Sequence, residues 1–312
     1  MVNELEDYNL ILLNCGIGNS PGSVVIKNLS NLDELYDEEK LVFIYEYILK
    51  NINEPEILEH TIKLADRFRR NSTLSILLDF LKTKINKDDN NCELWIKFRT
   101  TCIRAIANYK DSSTVLTLLD CLHNKDENYK VRLTCADALG KIGDKYAVRQ
   151  LIDVVEDEDE KSIYIKESAV SALGLLGDIS AIDPLINILE SKQGFLGKFT
   201  FLKEKIVEAL GKLNFNNQKV MKAFKQALMD SSPIVRINAI EAIMNSNDDE
   251  SINLIRPSLH DDDFEVQKNA LIAIYNLAGR DILDEVLGLP TYSNELKKEA
   301  NDILREYEDE DE

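Results

Sequence analysis

A short sequence block recurs along the chain at intervals of 30 to 37 residues. Its clearest copies are VRLTCADALGKIGD at 131–144 and IKESAVSALGLLGD at 165–178, and shorter copies begin at 98, 202, 235, 266 and 296. A period of this length is typical of proteins built by stacking one small structural unit many times. This repeat limits the possible folds more than any other feature of the 312 residues.

Each repeat predicts two helices. In the copy at 131–144, apolar residues fall four, seven and eight positions after Val131, as on one face of a helix. We expect Gly140 and Gly143 to end this first helix, and Asp144, or Ser180 in the next copy, to cap the second. The second helix shows the same one-sided pattern. Pro257 lies inside one such helix and predicts a kink or a shortened helix there.

Helix pairs of about 34 residues that stack side by side predict an all-α fold. The expected architecture is a right-handed α-solenoid, an α-α superhelix of about eight helix pairs, each with a first and a second helix. The pattern V-R-x-x-A-x-x-A-L-G-x-[IL]-G-D resembles HEAT repeats, and more narrowly the HEAT-like repeat of the phycobilisome-lyase (PBS lyase) type. This resemblance implies an armadillo-like helical protein.

The repeat pattern also predicts how the chain is divided. We expect a non-repeat N-terminal cap over 1–36, divergent HEAT-like repeats over 37–92 and clear repeats over 93–305. The acidic residues of 306–312 predict a disordered tail. In the glycine-rich segment Gly16–Gly22 no lysine precedes a serine or threonine, so we expect a turn between two helices rather than a phosphate loop.

The charge excludes two classes of partner. The chain has 37 basic and 56 acidic side chains, and the formal net charge is −19. Because nucleic acids and anionic membranes attract basic surfaces, we expect neither as a partner. The acidic N-terminal sequence, the absence of a long apolar stretch and five cysteines without a C-x-x-C motif predict a cytoplasmic, acidic protein.

A basic residue recurs at the second position of the motif. Six residues before it, an acidic residue stands in four of six copies (Glu93, Asp126, Glu160 and Asp230, preceding Arg99, Arg132, Lys166 and Arg236). We interpret this pattern as pairing between neighbouring repeats, similar to the acid–base ladder of HEAT repeats, with the preceding acids as the partners. The alternative is a groove that binds an acidic ligand.

The sequence predicts no catalytic residue, metal ligand or cofactor, and therefore no enzyme. Its three histidines are too far apart to form a helical two-histidine zinc site. Cys102 and Cys135 occupy the same motif position, where other copies mostly have alanine, so we expect both in the core. The acidic runs lack the glycine and distal glutamate of a calcium loop.

The best candidate for a contact surface lies where the repeat is longest. The segment Gly194–Leu202 contains Phe195, Phe199 and Phe201, and extra residues in a solenoid often form binding loops. These rings could instead cover the stack locally.

We therefore predict a non-catalytic protein-binding scaffold or adaptor. Its second helices would present alternating polar and small residues to a protein partner. Two alternatives stay open. The resemblance implies a lyase-like, maturation or chaperone subunit that assists cofactor attachment or handling on a protein substrate. The charge favours an acidic-surface binder of a basic protein.

Overall fold

A computed structural model describes residues 9–83, 92–190, 200–213, 217–246 and 250–310. Within these ranges every regular element is a helix and none is a strand, so the predicted all-α fold is confirmed. The chain divides into two compact units, Met1–Gln150 and Leu151–Glu312.

In the first unit, a short helix over 9–14 precedes a series of longer ones. These are α1 (Gly22–Ser30), α2 (Glu38–Asn51), α3 (Pro55–Ala65), α4 (Asn71–Lys82), α5 (Glu93–Tyr109), α6 (Val115–His123) and α7 (Tyr129–Ile142). Helices α1, α3, α5 and α7 contact one another in that order, whereas α2, α4 and α6 form a second row. The odd-numbered helices are thus the first helices of successive pairs.

Helix α8 (Val148–Glu156) includes the point at which the units are divided, and the second unit has the same alternation of first and second helices. Its helices are α9 (Ile163–Leu176), α10 (Ile182–Glu190), α11 (Thr200–Leu213), α12 (Gln218–Ala227), α13 (Pro233–Ser246), α14 (Ser251–Ile255), α15 (Phe264–Ala278), α16 (Asp281–Gly288) and α17 (Asn294–Glu310). First helices α9, α11, α13 and α15 again contact one another in order. The last helix, α17, packs against both α15 and α16.

The apolar positions of the motif form the core. Its first residue is fully closed to solvent in four copies, at Val131, Ile165, Val235 and Val266. Cys102 and Cys135 are equally buried, as predicted for residues that replace alanine in the core. Full burial of such a side chain contributes about 1.5–3 kcal/mol for a valine or isoleucine.

The two glycines of the motif have different roles. Gly143 and Gly177 follow the ends of α7 and α9 with φ of 84° and 65°, which confirms Gly143 as a helix terminator. Gly140, however, lies inside α7, so the prediction that it ends the helix is wrong. At the equivalent Gly174, a Cβ atom would lie 3.0 Å from the Ala209 Cα of α11. The missing side chain thus allows adjacent first helices to approach closely.

Aspartates begin the turns from first to second helices. The Asp144 carboxylate accepts a hydrogen bond from the Tyr146 N–H at 2.9 Å, which confirms the predicted cap. In the next copy the cap is Asp178, which accepts from the Ser180 N–H, so Ser180 is not the capping residue. Each aspartate opens a short 3-10 turn.

Two further local predictions are confirmed. Helix α14 ends at Ile255 and continues as a 3-10 turn over Arg256–His260, so Pro257 shortens this helix. Near the N-terminus, Gly16 and Gly18 adopt φ of 86° and 81° in a turn between the helix over 9–14 and α1.

Candidate functional site

The recurring basic residues connect neighbouring repeats. The Arg236 guanidinium donates to both carboxylate oxygens of Asp261, at 2.9 and 2.6 Å, and to the Asp230 main-chain carbonyl at 2.8 Å. The Lys203 Nζ donates to the Asp230 carboxylate at 2.8 Å. Each of these basic side chains thus contacts a carboxylate in the turn of the following repeat.

The end of the preceding second helix, with the residue that follows it, contributes main-chain carbonyl acceptors. Lys166 donates to the carbonyls of Val155 and Asp157 at 2.9 and 2.6 Å, and Arg132 donates to that of Leu122 at 2.8 Å. The predicted pairing between repeats is therefore confirmed for Lys203 and Arg236. The predicted partner six residues earlier is wrong for Arg236, because the Asp230 carboxylate binds Lys203.

Arg99 follows the same rule in the first unit. It pairs with Glu127 at 2.5 Å and donates to the Phe80 carbonyl at 3.0 Å, whereas Glu93, six residues earlier, pairs with Lys130. Arg99, Arg132 and Lys166 are all buried. These cations are therefore enclosed at the contacts between adjacent repeats, which we call the joints. They do not line an open groove for an acidic ligand.

The titration of Asp230 reflects its position in such a joint. Burial would raise the pKa of this carboxyl, but hydrogen bonds from Lys203 and from the Ser232 N–H outweigh it. The pKa of Asp230 is consequently below its usual range, and the carboxylate is charged at neutral pH.

The buried thiols of Cys102 and Cys135 and the imidazoles of His60 and His260 have surroundings typical of packed side chains. Burial raises the pKa of Cys102 to about 12 and holds the pKa of Cys135 well above its usual range, which favours unreactive thiols. His60 contacts the Ser30 hydroxyl, and His260 stacks on Tyr292. In the described ranges, no group of three histidine, cysteine, aspartate or glutamate side chains is arranged to hold a metal ion.

Of the three phenylalanines that we predict as a contact surface, Phe201 lies among the described residues. Phe195 and Phe199 lie outside the described residues. Phe201 is the second residue of α11, and its side chain is 67% exposed. This exposure agrees with a contact residue and not with a ring that covers the core.

Phe201 belongs to a row of exposed apolar side chains. Tyr164 on α9 and Ile234 on α13 occupy the same motif position and are 60% and 50% exposed. Since α9, α11 and α13 are consecutive neighbours, the three residues lie at the same end of adjacent helices. We call Tyr164, Phe201 and Ile234 the apolar edge.

The repeat itself explains why the edge is exposed. The next residue of each helix is buried in the core, at Ile165, Leu202 and Val235. Successive helical residues differ by about 100° around the axis, so the residue before a core position points away from the core. Met229, in the turn that leads into α13, adds another apolar side chain at this end and is 79% exposed.

Two glutamates lie one helical turn beyond residues of the apolar edge. Glu167 lies one turn after Tyr164, and Glu204 lies one turn after Phe201. Burial raises the pKa of Glu167, while the nearby charge of Lys205 lowers it and that of Glu204 raises it. The raised pKa therefore reflects the burial of this carboxyl and not an excess of negative charge behind the edge.

The second helices of this unit have a different surface. Among the described residues, no large apolar side chain that is exposed lies within α10, α12, α14 or α16. Charged side chains occupy much of this surface, as in the ion pair of Asp183 and Lys219 at 2.7 Å. This differs from our expectation that the second helices present alternating polar and small residues to a partner.

Tyr164 and Ile234 were missed in the sequence. Both could have been found by aligning the residue before the first core position of each copy. That position is Tyr164, Phe201 and Ile234 in three successive repeats, but Lys130 in an earlier copy and Glu265 in a later one.

A family model described as HEAT repeats matches residues 96–163, 115–197 and 201–277, which together include more than half of the chain. The chain belongs to the HEAT-repeat family. The predicted resemblance to HEAT repeats is thereby confirmed. No curated protein matches the sequence.

Kap95p and YibA are solved structures with a fold similar to that of this chain. Kap95p, in a complex with RanGDP, is 12% identical over 94% of this chain and 47% of its own, with a TM-score of 0.58. YibA of E. coli is 16% identical over 92% and 97% of the two chains, with a TM-score of 0.53. The CpcE–CpcF phycocyanin lyase of Nostoc sp. PCC7120 is 20% identical over 73% and 92%, with a TM-score of 0.47.

In the described part of the chain, no helix combines the length and apolar character that a membrane crossing requires.

Proposed function

We propose that this HEAT-repeat protein is a non-catalytic scaffold or adaptor that binds a protein partner through the apolar edge. The observation that carries the proposal is the presence of three large, exposed apolar side chains at one motif position of three adjacent first helices. Phe195 and Phe199, which precede α11 in the sequence, belong to the same proposed surface.

The chemistry of the edge supports protein binding. Aromatic side chains are enriched among the residues that contribute most to protein interfaces, because they bury a large area at low entropic cost. A row at a fixed motif position differs from the isolated exposed apolar residues found on most protein surfaces. The net charge of −19 supports a protein partner over nucleic acid or an anionic membrane. We place this activity in the cytoplasm.

A relative provides a precedent for binding by this fold. Kap95p is a HEAT-repeat structural neighbour and was solved bound to RanGDP. The likeness concerns the fold, so the identity of that partner is not transferred to this chain.

The test compares two triple variants. In the edge variant, Tyr164, Phe201 and Ile234 are each changed to Ser. In the control variant, three other exposed apolar residues are changed to Ser instead (Leu116, Leu175 and Ile179). Exposed side chains contribute little to folding. In both variants, each substitution should therefore change the free energy of unfolding by no more than about 0.5 kcal/mol.

The measurement is affinity capture from a cell lysate, with bound proteins identified by mass spectrometry. We expect a partner that the wild type and the control variant retain and that the edge variant loses. Phe195→Ser and Phe199→Ser should weaken the same binding without unfolding the protein. Equal capture by the edge variant and the wild type would show that the edge is not the binding surface.

A further inference from the structure

Three of the described turns that lead into first helices of the second unit contain acidic residues, whereas the segment before α11, which contains Lys192 and Lys198, lies outside the described residues. The turn before α9 has the sequence Asp-Glu-Asp-Glu over 157–160, and the turn before α15 has three aspartates over 261–263. Asp230 lies in the turn before α13. These turns lie at the N-terminal ends of the first helices, which is also where the apolar edge lies.

Some of these carboxylates are already neutralised inside the joints. Asp230 binds Lys203, and Asp261 binds Arg236, and all four side chains are less than 30% exposed. Lys203 and Arg236 are thus directed inward, toward the joints. Their charge is already balanced and does not offset the outer carboxylates.

The outer carboxylates are exposed to solvent. Glu158 and Asp159 precede α9, and Asp262 precedes α15. The only exposed basic residue in these described turns is Lys161. Among the described turns, those at the two ends of the row, before α9 and before α15, therefore have excess negative charge.

We propose that the apolar edge binds a basic amphipathic helix, whose apolar face packs on Tyr164, Phe201 and Ile234 and whose lysines or arginines face Glu158, Asp159 and Asp262. This inference rests on the proposed function and specifies the chemical class of the partner. An acidic or phosphorylated segment would meet like charge at both ends of the row, which disfavours it.

The spacing of the row fits a helix. Packed helices lie about 8–10 Å apart, so adjacent residues of the edge are separated by about one such step. Residues seven apart on a helix are separated by about 10.5 Å along its axis and lie on nearly the same face. A partner helix that crosses α9, α11 and α13 can therefore place one apolar residue per seven at each position of the edge.

The experiment uses the full chain and three labelled synthetic peptides of about 18 residues, long enough for three apolar positions at a spacing of seven. The first has leucine on one helical face and lysine elsewhere. The second replaces its lysines by glutamate, and the third replaces its leucines by serine. We expect fluorescence anisotropy to show the first peptide binding at least about tenfold more tightly than either of the others.

Two charge variants separate local from general attraction. In the flank variant, Glu158→Gln, Asp159→Asn and Asp262→Asn remove the exposed acids beside the edge. In its control, Glu39→Gln, Asp120→Asn and Asp281→Asn remove three exposed acids elsewhere. The flank variant should bind the leucine–lysine peptide more weakly and with less dependence on salt between about 0.05 and 0.5 M NaCl, whereas the control should match the wild type.

Three outcomes would overturn the inference. The first is equal weakening in the flank and control variants, because attraction would then reflect the total charge. The second is undiminished binding of the leucine–lysine peptide to the edge variant. The third is a preference for the glutamate peptide. If an acidic partner is captured by the wild type but not by the edge variant, the proposed function stands and only the basic class of partner is wrong.

Discussion

Arg99 and Glu127 form an ion pair that is almost closed to solvent. Their side chains are 4% and 6% exposed, and the guanidinium also donates to the Phe80 carbonyl. Among the described atoms, the Arg99 Nε is buried without a hydrogen-bond partner. The guanidinium is thus desolvated and depends on Glu127 for the balance of its charge.

Glu127→Gln should therefore be strongly destabilising. Removing one charge of a buried pair leaves the other uncompensated, at a cost of about 3–5 kcal/mol. The matched control is Lys130→Ala, which removes an exposed ion pair with Glu93 and should change the stability little. Urea unfolding measures both, and similar values for the two variants would contradict the buried character of the Arg99 pair.

At this scale, the sequence predicted which basic residues matter but not their partners. The basic position recurs with the motif, so it is visible in one chain. The contact of Arg236 with Asp261 depends on how far the next turn lies from it in space. That distance is set by helix lengths and packing, and an acid six residues away in sequence was therefore a misleading guide.

Helices α9 and α11 approach each other closely at Gly174. A Cβ atom at Gly174 would meet the Cα and Cβ atoms of Ala209 at 3.0 and 3.1 Å. The Cα belongs to the backbone of a packed helix and cannot move without moving α11. Gly174 therefore sets how closely two repeats pack.

We expect Gly174→Ala to destabilise the protein by up to about 2 kcal/mol. Alanine improves helix propensity by about 1 kcal/mol, but overpacking against a helix backbone costs about 1–3 kcal/mol. The control is Gly288→Ala in α16, where a Cβ atom would have open space. This control should be neutral or slightly stabilising in thermal or urea unfolding. A stabilising Gly174→Ala would show that α11 shifts easily.

The elements themselves were largely predictable, because the period and the one-sided apolar pattern specify both helices of a pair. The role of the first glycine was not. Gly140 and Gly143 are three residues apart, and either can end a helix. Only the neighbouring helix shows that the first of the two is a packing position.

For the whole molecule, the net charge of −19 combines two populations of acids. Some, such as Asp230 and Asp261, are paired in the joints between repeats. Others, such as Glu158 and Asp262, are exposed. The unpaired acids repel one another in the compact chain, and this repulsion opposes folding.

Salt should therefore stabilise the protein. Raising NaCl from about 0.01 to 0.3 M shortens the Debye length from about 30 Å to less than 10 Å, which screens repulsion between exposed acids more than attraction inside the joints. We expect the Tm in differential scanning fluorimetry to rise. The rise should be smaller in the variant with Glu39→Gln, Asp120→Asn and Asp281→Asn. A falling Tm would show that screened ion pairs contribute more than repulsion.

The candidate site was predicted in part. Phe201 stood out because its repeat is long, whereas Tyr164 and Ile234 lie in repeats of ordinary length. Exposure at this position follows from the burial of the next residue, so the row becomes visible only when the helix faces are known. The acidic runs were visible in the sequence, but their position beside the edge required the fold.

The main-chain carbonyls that the recurring basic residues bind affect which turn residues can be substituted. The acceptors at Asp157 and Asp230 are backbone oxygens of turn residues, which every amino acid provides. A turn can therefore exchange its exposed side chains and still bind the basic residue of the next helix, provided that it keeps the carboxylate that pairs with the preceding repeat, such as Glu127 or Asp261. Designers can graft recognition residues at those exposed positions while the contacts between repeats keep their geometry.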